Sequence, residues 1–72
     1  MPSSAVRRFS YDPEKNQLRV EFVTGRIYIY YGVPHHEAQA FRAAESKGRY
    51  FNFNIRDRYA FRELTEELQA GR

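Results

Sequence analysis

Apolar and polar residues alternate along the first half of the chain. Between positions 17 and 23, Leu18, Val20 and Phe22 are apolar, while Gln17, Arg19 and Glu21 are polar. A period of two marks a half-buried β-strand. Positions 26–31 follow as Arg-Ile-Tyr-Ile-Tyr-Tyr, a run of β-branched and aromatic residues that predicts a second strand. Thr24-Gly25 between them predicts a tight two-residue hairpin. That loop pairs Phe22 with Ile27, Val20 with Ile29 and Leu18 with Tyr31. Paired residues share a face, so Leu18, Val20, Phe22, Ile27, Ile29 and Tyr31 are predicted on a dry face. Arg19, Glu21, Val23, Arg26, Tyr28 and Tyr30 are then on a wet one. An earlier strand is predicted over about 6–11, with a turn at Asp12-Pro13-Glu14-Lys15-Asn16. Phe9 and Tyr11 then face the core, and Arg8 lies near Glu21.

The second half changes period. Pro34 suits the start of a helix, where its missing N–H needs no partner, and Glu37 in the first turn complements the helix dipole. Ala40, Phe41 and Ala44 form a stripe, with Ala38 beside it, that is expected to cover the dry face. Ser46 and Gly48 mark the helix end, and Ser46 also suits the cap of a following turn. A short helical segment is predicted near 47–53, then an irregular or extended run through Ile55; Tyr50 to Ile55 also suits a strand. Phe61, Leu64 and Leu68 stand at i, i+3 and i+7, which predicts a terminal helix over about 60–70, stopped by Gly71. The expected fold is α+β: a three-stranded antiparallel β-meander packed on an α-helix, with an aromatic C-terminal segment and a terminal helix.

Length and composition narrow the function. The 72 residues form one domain over 1–72. A chain of this size buries only about 60% of the surface it exposes when unfolded, which leaves little room for a deep, water-excluded catalytic pocket. The absence of Cys excludes disulfides, thiolate metal sites and thiol nucleophiles, and suits a reducing cytoplasm. No apolar stretch reaches the length of a membrane span, and residues 1–8 lack the apolar centre of a signal peptide. His35 and His36 point about 100° apart on a helix, so they are read as exposed first-turn residues rather than as metal ligands. No serine has a recognisable base partner, no carboxylates are paired, and there is no glycine-rich phosphate loop. The reading is therefore of a cytoplasmic protein that is not an enzyme, with no cofactor and no metal.

Three ordered blocks carry a family resemblance. They are FSYDPEKNQLRVEF, then G-R-I-Y-I-Y-Y-G-V-P, then A-x-S-K-G-R-Y-F-N-x-N-I-R-D-R-Y. Together they resemble the KTSC domain, which occurs at the C-terminus of some lysyl-tRNA synthetases and alone in small bacterial proteins. Tyr28 and Tyr30 match the family's Tyr-x-Tyr, Val33-Pro34 its Val-Pro, and Ala44, Ser46, Gly48, Tyr50, Phe51, Asn52, Asn54 and Ile55 its later block. The likeness covers about residues 3–61. The sequence departs from the family at Glu37 and Arg42, which are charged where the helix is usually apolar, and its tail extends past the usual domain end. The resemblance implies no established activity; it implies RNA binding by way of the synthetase context.

Charge and aromatic content sharpen that expectation. Twelve of the residues are aromatic, six Phe and six Tyr, and ten Arg accompany two Lys. The net charge is only +3. Residues 1–62, however, hold eleven basic against six acidic residues, or +5, while residues 63–72 hold one Arg and three Glu, or −2. The basic character belongs to the domain. Tyr rings on a sheet can stack nucleobases while Arg groups meet phosphate. The expected function is a non-catalytic module for RNA or single-stranded nucleic acid, with Tyr28 and Tyr30 stacking and Arg8, Arg19, Arg26, Arg49, Arg56 and Arg58 at phosphates. Three alternatives stand beside it. The same surface can meet an acidic protein partner, since Tyr and Arg also dominate protein hot spots. It can be an ordinary solvated face, or the C-terminal segment can fold over it and bury both tyrosines.

Overall fold

The structure, a computed structural model, describes residues 6–64. Strands β1 (Val6–Asp12), β2 (Gln17–Phe22) and β3 (Ile27–Tyr31) are followed by helix α1 (His35–Ala43), short helix α2 (Lys47–Tyr50) and strand β4 (Phe61–Leu64). The strands form one antiparallel sheet in the order β1-β2-β3-β4. The fold is α+β as expected, with four strands rather than three. The terminal helix expected over 60–70 is corrected at its start, because 61–64 pair with β3 as a strand; residues 65–70 lie outside the described residues.

The β2–β3 hairpin differs from expectation by one residue, with large consequences. The Gly25 N–H donates to the Phe22 carbonyl at 2.8 Å, and the Phe22 N–H donates to the Arg26 carbonyl at 2.9 Å. The loop is therefore three residues, Val23-Thr24-Gly25, with Gly25 at φ +94°. A type I turn closed by a left-handed residue is a common three-residue hairpin. Leu18 now pairs with Tyr30 and Val20 with Tyr28. A slip of one residue exchanges the faces of a whole strand. Tyr28 and Tyr30 join Leu18, Val20 and Phe22 on the helix-covered face, while Ile27, Ile29 and Tyr31 turn to the opposite face beside Arg19 and Glu21. The expected pairing of Arg8 with Glu21, and Phe9 and Tyr11 on the core face, are both observed.

Helices α1 and α2 cover the core face. The buried stripe of α1 is Glu37, Ala38 and Phe41, rotated from the expected Ala40–Phe41–Ala44. The Phe41 ring meets Phe9 with centroids 4.6 Å apart. Ser46 caps α2, its hydroxyl accepting from the Arg49 N–H at 3.2 Å. The helix continues as a π-helical turn over Phe51–Ile55, past the expected helical segment near 47–53 and through the last residues, where an irregular or extended run was expected. The Arg56 N–H donates to the Phe51 carbonyl, five residues back, at 2.9 Å. Phe51 and Ile55 lie one turn apart and both enter the core; Phe53 faces solvent, 77% exposed.

Glu37 is 6% exposed, and its burial is compensated. Tyr50 donates its hydroxyl to Oε2 at 2.5 Å and Tyr59 donates to Oε1 at 2.8 Å. Arg58 Nη1 stands 3.5 Å from Oε1. A buried carboxylate left unpaired is strongly destabilising; here two hydroxyls and a guanidinium supply its donors. The charged Glu37 thus ties α1 to the chain on both sides of the π-turn. Its hydrogen bond, with burial second, holds the Tyr50 hydroxyl protonated and pushes its pKa up to about 12. Burial, then the bond to Glu37, raises Tyr59 as well.

Two outcomes follow from this construction. Apart from the two adjacent residues, no atom lies within 4 Å of where a Gly25 Cβ would stand, so Gly25→Ala meets only backbone strain. Chemical denaturation should show a loss of about 1–2 kcal/mol with an unchanged m-value. The unfolded chain releases the Tyr50 and Tyr59 protons near pH 10, whereas the folded chain keeps them. Their contribution to stability is therefore full below pH 10 and declines as pH rises beyond it, for Tyr50 up to about 12. Tyr50→Phe should lose about 1.5–3 kcal/mol at neutral pH and show a shallower alkaline decline.

Candidate functional site

The helical layer stops short of the sheet's last strand. An open groove of about 490 Å³ remains over β3 and β4. Its walls and floor are five aromatic rings, Phe22, Tyr28, Tyr30, Phe51 and Phe61; Thr24, Arg26, Arg56 and Asp57 supply its polar lining. Residues two apart on a strand share a face, so β3 presents Tyr28 and Tyr30 together, with centroids 6.3 Å apart. β4 sets Phe61 opposite Tyr30, with its ring 5.5 Å from Tyr28 and 5.4 Å from Tyr30. The π-turn brings Phe51 edge-on to Phe22 at 5.2 Å and to Tyr30 at 5.3 Å. Tyr30 is only 3% exposed, Tyr28 is half-buried and Phe61 is 54% exposed. Of the five rings, Phe61 is the most exposed and Tyr28 the next, while Phe22, Tyr30 and Phe51 are buried.

The polar groups around this shelf are loosely engaged. Arg26 Nη1 stands 3.7 Å from Glu63 Oε2. An exposed pair of this kind contributes about 0–1 kcal/mol, so the guanidinium can exchange partners at little cost. Arg56 donates to Asn52 Oδ1 at 3.4 Å. Asp57 has no hydrogen bond or ion pair among the described residues. Both Arg56 and Asp57 act on Tyr30 electrostatically: burial first, then Tyr28 and Asp57, raise its pKa to about 12 against an opposing effect of Arg56.

The eight residues expected to bind nucleic acid divide among four places. Tyr28, Tyr30, Arg26 and Arg56 meet in the groove. Arg8 and Arg19 lie on the opposite face of the sheet, separated from both tyrosines by the register. There Glu21 takes Arg8 Nε at 3.2 Å and Arg7 Nη1 at 4.0 Å. Arg49 is exposed on α2, and Arg58 is held by Glu37. The solvated Arg/Tyr face expected from the two-residue hairpin is therefore corrected: Tyr30 is a core residue and the arginines face different ways. The alternative in which the C-terminal segment covers both tyrosines is met at Tyr30 and only halfway at Tyr28. Phe61, Phe51, Phe22 and Asp57 were not among the expected site residues. A signal for β4 did exist. β3 carries aromatic or β-branched residues on both faces, the mark of an inner strand that needs a second neighbour.

Among the described residues no cluster of His, Asp or Glu is arranged to hold a metal ion, and no helix is long and apolar enough to cross a membrane. Residues 2–59 match the family model of the KTSC domain. The chain belongs to the KTSC family. A crystal structure of a KTSC domain protein from Yersinia pestis superposes with a TM-score of 0.80 at 36% identity, covering 88% of this chain and 89% of that one. An uncharacterised protein of Stutzerimonas stutzeri is 46% identical over 52 residues, 72% of this chain and 73% of its own length. A lysine–tRNA ligase of Nostoc punctiforme is 34% identical over 62 residues, which is 86% of this chain but 11% of the ligase. The KTSC match contains the groove residues Arg26, Tyr28, Tyr30, Phe51, Arg56 and Asp57; Phe61 lies just past it.

The ionisation of Tyr30 reports on the groove. In an alkaline absorbance titration of the folded protein, the last tyrosines to ionise should do so near pH 12. Tyr30→Phe should remove one of them. A normal, early-titrating Tyr30 would mean that the ring is not buried beneath Phe51.

Proposed function

We propose that this KTSC domain is a non-catalytic module that binds single-stranded RNA in the aromatic groove. The observation that carries this reading is the half-exposed Phe61–Tyr28 shelf flanked by Arg26 and Arg56. Single strands are held by rings that stack bases and by cations that follow the backbone. The groove offers both in one cavity. On the back face, Glu21 already offsets Arg7 and Arg8, and one partly buried ring, Tyr31, stands where the groove gathers five. Relatives named as lysine–tRNA ligases add support, because their substrate is an RNA and this domain corresponds to a small part of them. The +5 charge of residues 1–62 favours the encounter.

Fluorescence anisotropy with a labelled mixed-sequence RNA oligomer at low salt tests the reading. Phe61→Ala, at a half-exposed position, should weaken binding by about fivefold or more, the effect of losing one stacked base. Arg26→Ala and Arg56→Ala should each reduce the log–log salt slope by about 0.7. Arg8→Ala and Arg19→Ala should leave affinity nearly unchanged. Equal losses from back-face and groove variants would overturn the groove as the site. Absence of saturable binding below about 100 μM would overturn RNA binding and leave the groove to an acidic protein partner.

A further inference from the structure

Asp57 does not fit a groove that binds only phosphate. It lines the same cavity as Arg26 and Arg56, in a domain whose acids are otherwise paired or outside the groove: Glu21 holds Arg8, Glu37 holds two tyrosines and Arg58, and Glu63 holds Arg26. Among the described residues, nothing holds Asp57. An ionised carboxylate has only acceptor sites. It repels a phosphate and favours a neutral group that presents N–H donors. A base lying on Phe61 and Tyr28 presents its edge, not its backbone, to the groove wall.

Resting on the proposed stacking of RNA in this groove, we infer that Asp57 selects guanine as the stacked base. The choice among bases follows from their donors. Guanine offers two adjacent ones, N1–H and the N2 amine, spaced to meet both oxygens of one carboxylate. Adenine and cytosine each offer one exocyclic amine beside a ring acceptor that faces the carboxylate unfavourably. Uracil offers a single N3–H between two carbonyls. Only guanine satisfies both oxygens without opposing an acceptor to an acceptor. Arg26 and Arg56 are then free to meet the flanking phosphates, so the polar groups of the groove divide between edge and backbone. Asp57 sits in the loop after the π-turn, where Arg58 and Tyr59 are fastened to Glu37. That fastening ties down the two residues that follow Asp57 in the chain.

The test uses the whole chain and short uridine-rich RNA oligomers that differ at one central base. The oligomer with a central guanine should bind about five- to tenfold more tightly than those with adenine, cytosine or uracil, as a bidentate base contact provides. Inosine, which lacks only the N2 amine, should lose most of that preference. Asp57→Asn, at an exposed position outside the core, should reduce the preference to within about twofold. It should also bind the all-uridine oligomer at least as tightly as the unaltered protein, because a negative charge is removed. Binding of all the oligomers with equal affinity would overturn guanine selection while leaving the groove as an RNA site. Guanine preference that survives in Asp57→Asn would overturn the role of Asp57. Failure of every oligomer to bind would remove the RNA reading and this inference together.

Discussion

The three-residue connection Val23-Thr24-Gly25 is the constraint on which the rest of the molecule turns. It places Phe22 opposite Arg26, and every later residue of β3 inherits its face from that pairing. A two-residue turn would send Ile27, Ile29 and Tyr31 into the core and leave the tyrosine pair in solvent. The longer turn does the reverse. Tyr30 fills the space above Leu18 and beneath Phe51, and Tyr28 extends the aromatic surface toward β4. Tyrosine tolerates this position because its ring packs as an apolar body while its hydroxyl remains near the groove's polar lining. The turn is possible because glycine occupies the one position with a left-handed backbone.

Glu37 performs a comparable task for the helical layer. Helix α1 has nine residues and α2 four before its π-turn, too few for either to be stable alone. Packing on the sheet holds them from below. The Glu37 carboxylate joins them from the side, through Tyr50 in α2 and through Arg58 and Tyr59 in the loop that follows. That loop leads into β4, and the Tyr31 N–H donates to the Ala60 carbonyl at 2.9 Å where β4 begins. The buried acid therefore helps fix where the chain crosses back to the sheet. Arg56, Asp57 and Phe61 reach one cavity as a result, although the first two leave a helix and the third belongs to a strand.

The architecture was largely legible in the sequence, and the site only in part. Period-two alternation located β1 and β2, the Asp-Pro turn located their connection, and Pro34 and Ser46 marked helix starts. Register was not legible, because both candidate pairings of β2 with β3 give a plausible apolar face when each third-strand residue is aromatic or β-branched. Val-Thr-Gly and Thr-Gly differ by one loop residue, and nothing local decides between them. β4 was hidden for a similar reason. Phe61 and Leu64 satisfy helical spacing when read alone, and only the unfilled edge of β3 asks for a strand there. Glu37 was misleading in another way: a charged residue in a first helical turn suits the dipole, and its burial depends on partners 13 and 22 residues away.

The groove itself follows from the economy of a short chain. α1 meets the sheet at Phe9, and the π-turn meets it at Phe22 and Tyr30, which leaves the fourth strand without a covering element among the described residues. An ordinary remedy is to make an uncovered strand polar on that face. Here β4 places Phe61 on it, directly beside Tyr28, while Phe53 exposes another ring on the outer side of the π-turn. Exposed phenylalanine contributes little to stability, and a contiguous aromatic surface carries a risk of association. Leu18, Val20, Val33, Phe41 and Ile55 are fully enclosed, whereas Phe61 lies at the edge of the core against Tyr28 and Tyr30. Phe61 packs on Tyr28 and Tyr30 with one part of its ring and leaves the rest to solvent, and it is this surplus aromatic surface on which the proposed stacking rests.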